Sequence, residues 1–353
     1  MSRTIMDTDP FPPLDRDPAS PGDSQRNSQL DLRPNDTDSD SAATPASSLA
    51  PISSPHSAPI PPESVLSPFA EIFLGPNGLH PGARWLIYLA MAYVTFDLLN
   101  FLFIGLRPEP VPLWWMMVTE AQMMLAVILP AFVMARIEDR PFDDFGLPAK
   151  RAFGRNFWQG ALWGIASLTA LMLVLAALRA YSFGPLSLHG PRIFKFAFYY
   201  ALFFLMAAFF EDFLMRGYSQ WVLTQGMQFW PAAALLSTLF GALHLFNPGE
   251  AKIGIAAVIA IGLFFCLTLR RTGTLWFAIG FHMAWDWGES YFYSVPDSGS
   301  MAPGHLLNSS FHGPDWLTGG SVGPEGSYLL FILIAVLWAL FSRTYPNVKY
   351  EAG

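Results

Sequence analysis

The chain has 353 residues, of which 52% are hydrophobic and only 13% charged, with a formal net charge of −7. This composition excludes an ordinary soluble enzyme and points to an all-α, polytopic membrane helical bundle. Ten acids against four Arg fall within Met1–Ser67 and carry −6 of that charge, so the acidity belongs to the N-terminal stretch and the remainder is nearly neutral.

Met1–Ser67 is rich in Pro, Ser and Asp and poor in large apolar residues. Such a stretch cannot bury enough surface to offset the entropy of ordering, and a disordered cytoplasmic tail is expected for residues 1–67. It lacks a basic segment followed by an apolar run, so no cleavable signal peptide is expected. Residues 68–353 then form the integral membrane domain. Cys266 is the single cysteine, which excludes an internal disulfide or a cysteine metal cluster.

Eight apolar segments are long enough, or nearly so, to cross a hydrocarbon core of ~30 Å. They are Trp85–Leu106, Leu113–Ala135, Phe157–Leu178, Phe194–Leu214, Trp230–Phe246, Ile253–Leu269, Thr274–Trp287 and Ser327–Phe341. About eight transmembrane helices are therefore expected. The fourth continues without proline as one long helix to about Gln225, with a turn near Gly226–Phe229 and Pro231 at the next helix start. Asp97, Asn100, Glu120 and Gln122, on the first two segments, are polar at depth and suit interhelical hydrogen bonds.

Lys and Arg cluster in the loop after segment two (Arg136, Arg140, Lys150, Arg151, Arg155), after segment six (Arg270, Arg271) and near the C-terminus (Arg343, Lys349), whereas Gly288–Gly326 has none. Eight crossings with both termini cytoplasmic satisfy this asymmetry. Arg179, Arg192 and Lys195 would then lie outside. The expected setting is a bacterial plasma membrane. The loop Gly288–Gly326 reads as a solvated connection, with a cap over the bundle mouth as the alternative.

Glu211, His244, His282 and Asp286 interrupt apolar helices. Ionisable groups at membrane depth are costly and tend to mark chemistry or ion paths. Glu211 lies 14 residues before Gln225 and His244 lies 14 residues after Trp230. At ~1.5 Å per residue in antiparallel neighbours, the two reach a common depth. His282 and Asp286 are four apart and share a face, as do Asp212 and Arg216, and Phe240 and His244. Glu211 is turned ~100° from Asp212. This suggests that Glu211 faces a site while Asp212 and Arg216 pair and fix the helix, with Phe240 walling the imidazole of His244. Glu289, seven residues after His282, could join the site face, but near its helix end it is expected to be solvated.

Three motifs stand in order: Glu211-Asp212-Phe213-Leu214-Met215-Arg216, then Phe240-Gly241-Ala242-Leu243-His244, then His282-Met283-Ala284-Trp285-Asp286. They resemble those of the CPBP family of intramembrane proteases, which includes type II CAAX prenyl protease, bacterial Abi proteins and lysostaphin resistance protein A-like domains. The resemblance covers about residues 194–287. It implies that Glu211 and His244 activate a water, with His282 and residue 286 near the oxyanion. Two positions depart from the family pattern: Asp212 replaces a second Glu, and Asp286 stands where well-studied members have Asn. An ionised Asp cannot donate to an oxyanion, so Asp286 would be protonated or would orient His282.

The expected activity is therefore endopeptidase hydrolysis of a membrane-associated or prenylated (CAAX-type) peptide, without a cofactor. A zinc-dependent version, with Glu211, His244 and His282 as ligands, is the second reading. A non-catalytic scaffold or proton-linked transporter is the third. The expected partners are a membrane peptide or protein substrate and the lipid bilayer, and no nucleic acid.

Overall fold

In the computed structural model, the residues described are 74–75, 78–109, 112–247, 251–301 and 303–351. The expected disordered tail, 1–67, lies outside them. The described chain is a helical bundle. Its helices are α1 (Pro81–Ile104), α2 (Leu113–Ile137), α3 (Arg155–Ala177), α4 (Pro191–Arg216), α5 (Tyr218–Met227), α6 (Phe229–Leu243), α7 (Lys252–Thr272), α8 (Trp276–Trp287) and α9 (Tyr328–Thr344). Proline opens α1 and α4, where its missing N–H costs nothing. Ser327 caps α9 by accepting from the Leu329 N–H.

All eight apolar segments are largely helical, but among the described residues six helical runs are long and apolar enough to cross a membrane. The 17-residue α9 and the 12-residue α8 fall short. At ~1.5 Å per residue α8 spans ~18 Å, although a π-helical turn, Gly288–Tyr293, prolongs it. The expected unbroken helix to Gln225 is also corrected. It breaks at Gly217, whose ψ of −118° leaves the helical region, and α5 begins at Tyr218.

Two surfaces position α8. The first is its long contact with α3, where backbones touch. A Cβ on Gly160 or Gly164 would lie 2.0 or 2.3 Å from the carbonyl oxygen of Phe277 or Phe281, and one on Gly280 would lie 2.1 Å from that of Phe157. Small residues four apart permit this approach, which substitutes dispersion contact for the hydrophobic drive that lipid does not provide. The second is α4, whose Ala197 carbonyl accepts from the Trp287 indole at 2.9 Å.

The charged loops gather at one end of the bundle. The Leu275 N–H donates to Gly146, the Tyr350 N–H to Arg270, and the Tyr350 hydroxyl to Asp144. Arg84 pairs with Glu138, which also accepts from Tyr218. At the other end of α3, Tyr181–Ser182 pairs antiparallel with Ser310–Phe311 of the loop that follows α8. Of the expected interhelical bonds, Gln122 donates to the Leu99 carbonyl at 3.3 Å. Asp97 and Asn100 are exposed on α1 and face outward instead.

Candidate active site

Glu211 and Asp212 sit near the C-terminal end of α4, and their ~100° separation sends them to different environments. Asp212 is fully buried, and its Oδ1 accepts from Arg216 Nη1 at 2.8 Å. The Arg216 guanidinium lies between two aromatic faces, 4.7 Å from the Phe240 ring centre and 5.5 Å from that of Phe265. Space for it comes from α7: a Cβ on Gly262 would lie 2.7 Å from Arg216 Nη2. Thus one arginine, paired with Asp212 on its own helix, ties α4 to α6 and α7 by two cation–π contacts.

Asp212 has a second contact. Its Oδ2 lies 3.4 Å from His282 Nδ1. His282 Nε2 lies 3.6 Å from Glu211 Oε2 and 3.4 Å from Asp286 Oδ2. Each ring nitrogen therefore faces carboxylate oxygen, and either can donate. The ring is further steadied by Phe265, 5.6 Å away between centroids.

His244 does not lie within a helix as its sequence pattern suggests. It caps α6 and opens a 3₁₀ turn, His244–Phe246. In this turn its Nδ1–H donates to the Phe240 carbonyl at 2.9 Å, which leaves Nε2 as an acceptor. The Phe240 ring packs edge-on against it at 4.7 Å.

Glu211, His244, His282 and Asp286 line a single cavity of about 280 Å³. Its remaining polar lining comes from Glu120, Asn247, Ser290, Asp297, Ser298, Ser300 and Glu325, together with Tyr199 and Tyr200. Glu120, assigned to interhelical bonding from the sequence, is thus a cavity residue alongside Glu211. A second, apolar cavity of about 610 Å³, lined by Phe157, Leu162, Phe198, Met283 and Trp287 among others, has no titratable side chain in its wall. Chemistry therefore belongs to the first.

Two further expectations are corrected. The loop Gly288–Gly326 is not a merely solvated connection, because Asp297, Ser298, Ser300 and Glu325 enter the cavity wall. Glu289 is not solvated: it is fully buried. Asp297 and Glu325 carry no periodic signal and looked like ordinary loop acids. Among the described residues, the acidic and imidazole donors that converge within 4.8 Å of one another are those of Asp286, Asp297 and Glu325. Glu211, His244 and His282 are not among them, although His282 Nε2 lies 3.6 Å from Glu211 Oε2.

Comparison with curated proteins and with solved structures found no match. Residues 193–288 match a family model, described as type II CAAX prenyl endopeptidase Rce1-like. That stretch supplies Glu211, Asp212, Arg216, Phe240, His244, His282 and Asp286, so the cavity's central residues are carried by an Rce1-like segment, in agreement with the resemblance of its three motifs.

Proposed function

We propose that the protein is an intramembrane endopeptidase that hydrolyses a peptide bond in a membrane-associated substrate of the CAAX type. The observation that carries this reading is the convergence of Glu211, His244, His282 and Asp286 on one cavity inside the bundle. The Rce1-like match over residues 193–288 supports the reaction class.

Amide hydrolysis needs an activated water and a donor for the oxyanion. Glu211 is the general base, and the free Nε2 of His244 accepts the water's second hydrogen. The abstracted proton passes from Glu211 to the leaving amine. His282 Nε2–H, aimed between Glu211 and Asp286, donates to the carbonyl oxygen as charge develops there. Asp286 orients the ring through its 3.4 Å contact, a role an anion can fill where oxyanion donation is closed to it. The ring acts as an imidazolium, so Nδ1–H donates to Asp212, which Arg216 holds in turn.

The test is a proteoliposome assay with a prenylated CAAX peptide and with an unprenylated counterpart. Glu211→Ala is expected to lower turnover by about 10²–10⁴-fold, the usual worth of a general base, with an unchanged melting temperature. Wild-type turnover surviving in that variant rejects the assignment. Equal cleavage of both peptides rejects the lipid-bearing substrate while leaving the protease reading in place.

A further inference from the structure

We propose that Asp286, Asp297 and Glu325 form a binding site for a hard divalent cation, of the Ca²⁺ type, at the loop side of the cavity. Each residue offers one carboxylate oxygen, and the three oxygens all lie within 4.8 Å of one another. Two oxygens on opposite sides of a Ca²⁺ ion at ~2.4 Å are ~4.8 Å apart, so oxygens this close can share one ion. A donor set of oxygen alone selects Ca²⁺, Mg²⁺ or Mn²⁺ over softer metals.

The carboxylates are held in place from separate parts of the chain. Asp286 is fixed on α8 beside His282. Glu325 Oε2 accepts from the Ser298 N–H at 3.1 Å and from its hydroxyl at 2.6 Å. Asp297 Oδ2 accepts from the Ser290 hydroxyl at 3.3 Å. These bonds leave the second oxygen of both loop acids for another partner.

A separate observation points to a cation. Glu289, three residues after Asp286 and so on the same helical side, is fully buried. Neither of its oxygens has a partner at hydrogen-bond geometry. It interacts electrostatically with Glu325, Asp297 and Asp286. Four acids thus share one region, and the whole stretch Gly288–Gly326 contains no Lys or Arg to balance them. Carboxylates gathered this closely repel one another when ionised. A bound divalent ion would remove that repulsion. Glu289 backs the site without being required as a ligand.

The experiment is calorimetric titration of Ca²⁺ into the purified full-length chain in detergent, after chelator treatment, with thermal melting in parallel. One saturable site is expected, with a Kd of about 10⁻⁵–10⁻³ M and a rise in melting temperature. Asp297→Asn and Glu325→Gln are each expected to weaken binding by at least about tenfold, since each removes one charged ligand. Glu211→Ala, which removes the proposed base, is expected to retain binding, so failure of the protease reading and failure of this one are separable. Terbium luminescence sensitised by tryptophan, with displacement by Ca²⁺, reads the same site in the wild type should a variant fold poorly. No saturable binding of Ca²⁺, Mg²⁺ or Mn²⁺ by the wild type, which would mean shared protons instead, overturns the proposal. Binding unchanged in both loop variants overturns it too.

Discussion

Arg216 is the side chain on which the candidate site leans most. It is fully buried with Asp212, and two of its nitrogens, Nε and Nη2, have no hydrogen-bond partner, so aromatic faces and one carboxylate carry the whole charge. Removing one member of such a pair leaves the other uncompensated and costs ~3–5 kcal/mol. Arg216→Met is therefore expected to lower the melting temperature and to abolish activity through His282, because Asp212 is then free to turn away. The double variant Asp212→Asn with Arg216→Met, with no buried charge left over, is expected to recover much of the stability and none of the activity. Melting curves and turnover of the three proteins check this. A single variant as stable as the wild type would show that the pair is not a buried anchor.

At the scale of elements, His282 is aimed by the way α8 lies on α3. Gly160 and Gly164 were not singled out by the apolar pattern, since a glycine in an apolar run is read by hydropathy as neutral. Their role is visible only where the Phe277 and Phe281 carbonyls approach within what would be 2.0 and 2.3 Å of a Cβ. Gly164→Val forces the helices apart, and overpacking of this kind costs at least ~1–3 kcal/mol. The expected outcome is a lower melting temperature and a loss of turnover larger than the loss of folded protein, measured on the folded fraction after size exclusion. Wild-type melting and turnover would mean that the backbone contact is not required. The motif residues themselves were legible in the sequence, because a carboxylate or imidazole in an apolar helix stands out. His244 was legible as a site residue but not as a helix cap: Asn247-Pro248-Gly249 marks the end of the run a few residues later, and the tightening to a 3₁₀ turn at His244 is seen only in the fold.

At the scale of the molecule, the C-terminal residues close one end of the bundle. Tyr350 is 8% exposed, its hydroxyl donates to Asp144, and its ring lies near Phe229, while the neighbouring Arg271 reaches the Pro346 carbonyl. This clasp joins the loop after α2, the end of α7 and the start of α6. Tyr350→Ala removes a buried aromatic side chain, a change worth ~3–5 kcal/mol. A clear fall in the detergent melting temperature is expected, with a smaller effect on turnover, because the clasp is at the far end from the loop that enters the cavity. An unchanged melting temperature would mean that the tail merely rests on the surface.

By itself the sequence determined the helical class, the position of the apolar segments and the identity of Glu211, His244, His282 and Asp286. These follow from hydropathy and from local spacing, which act along one helix. Tertiary structure alone decided the break at Gly217, the outward face of Asp97 and Asn100, and the entry of Glu120, Asp297 and Glu325 into the cavity. Which way a helix face points, and whether a loop acid meets water or other acids, depends on neighbours far away in the chain. The burial of Glu289 beside three other carboxylates is the plainest case: its local sequence marks a solvated helix end, and the fold encloses it.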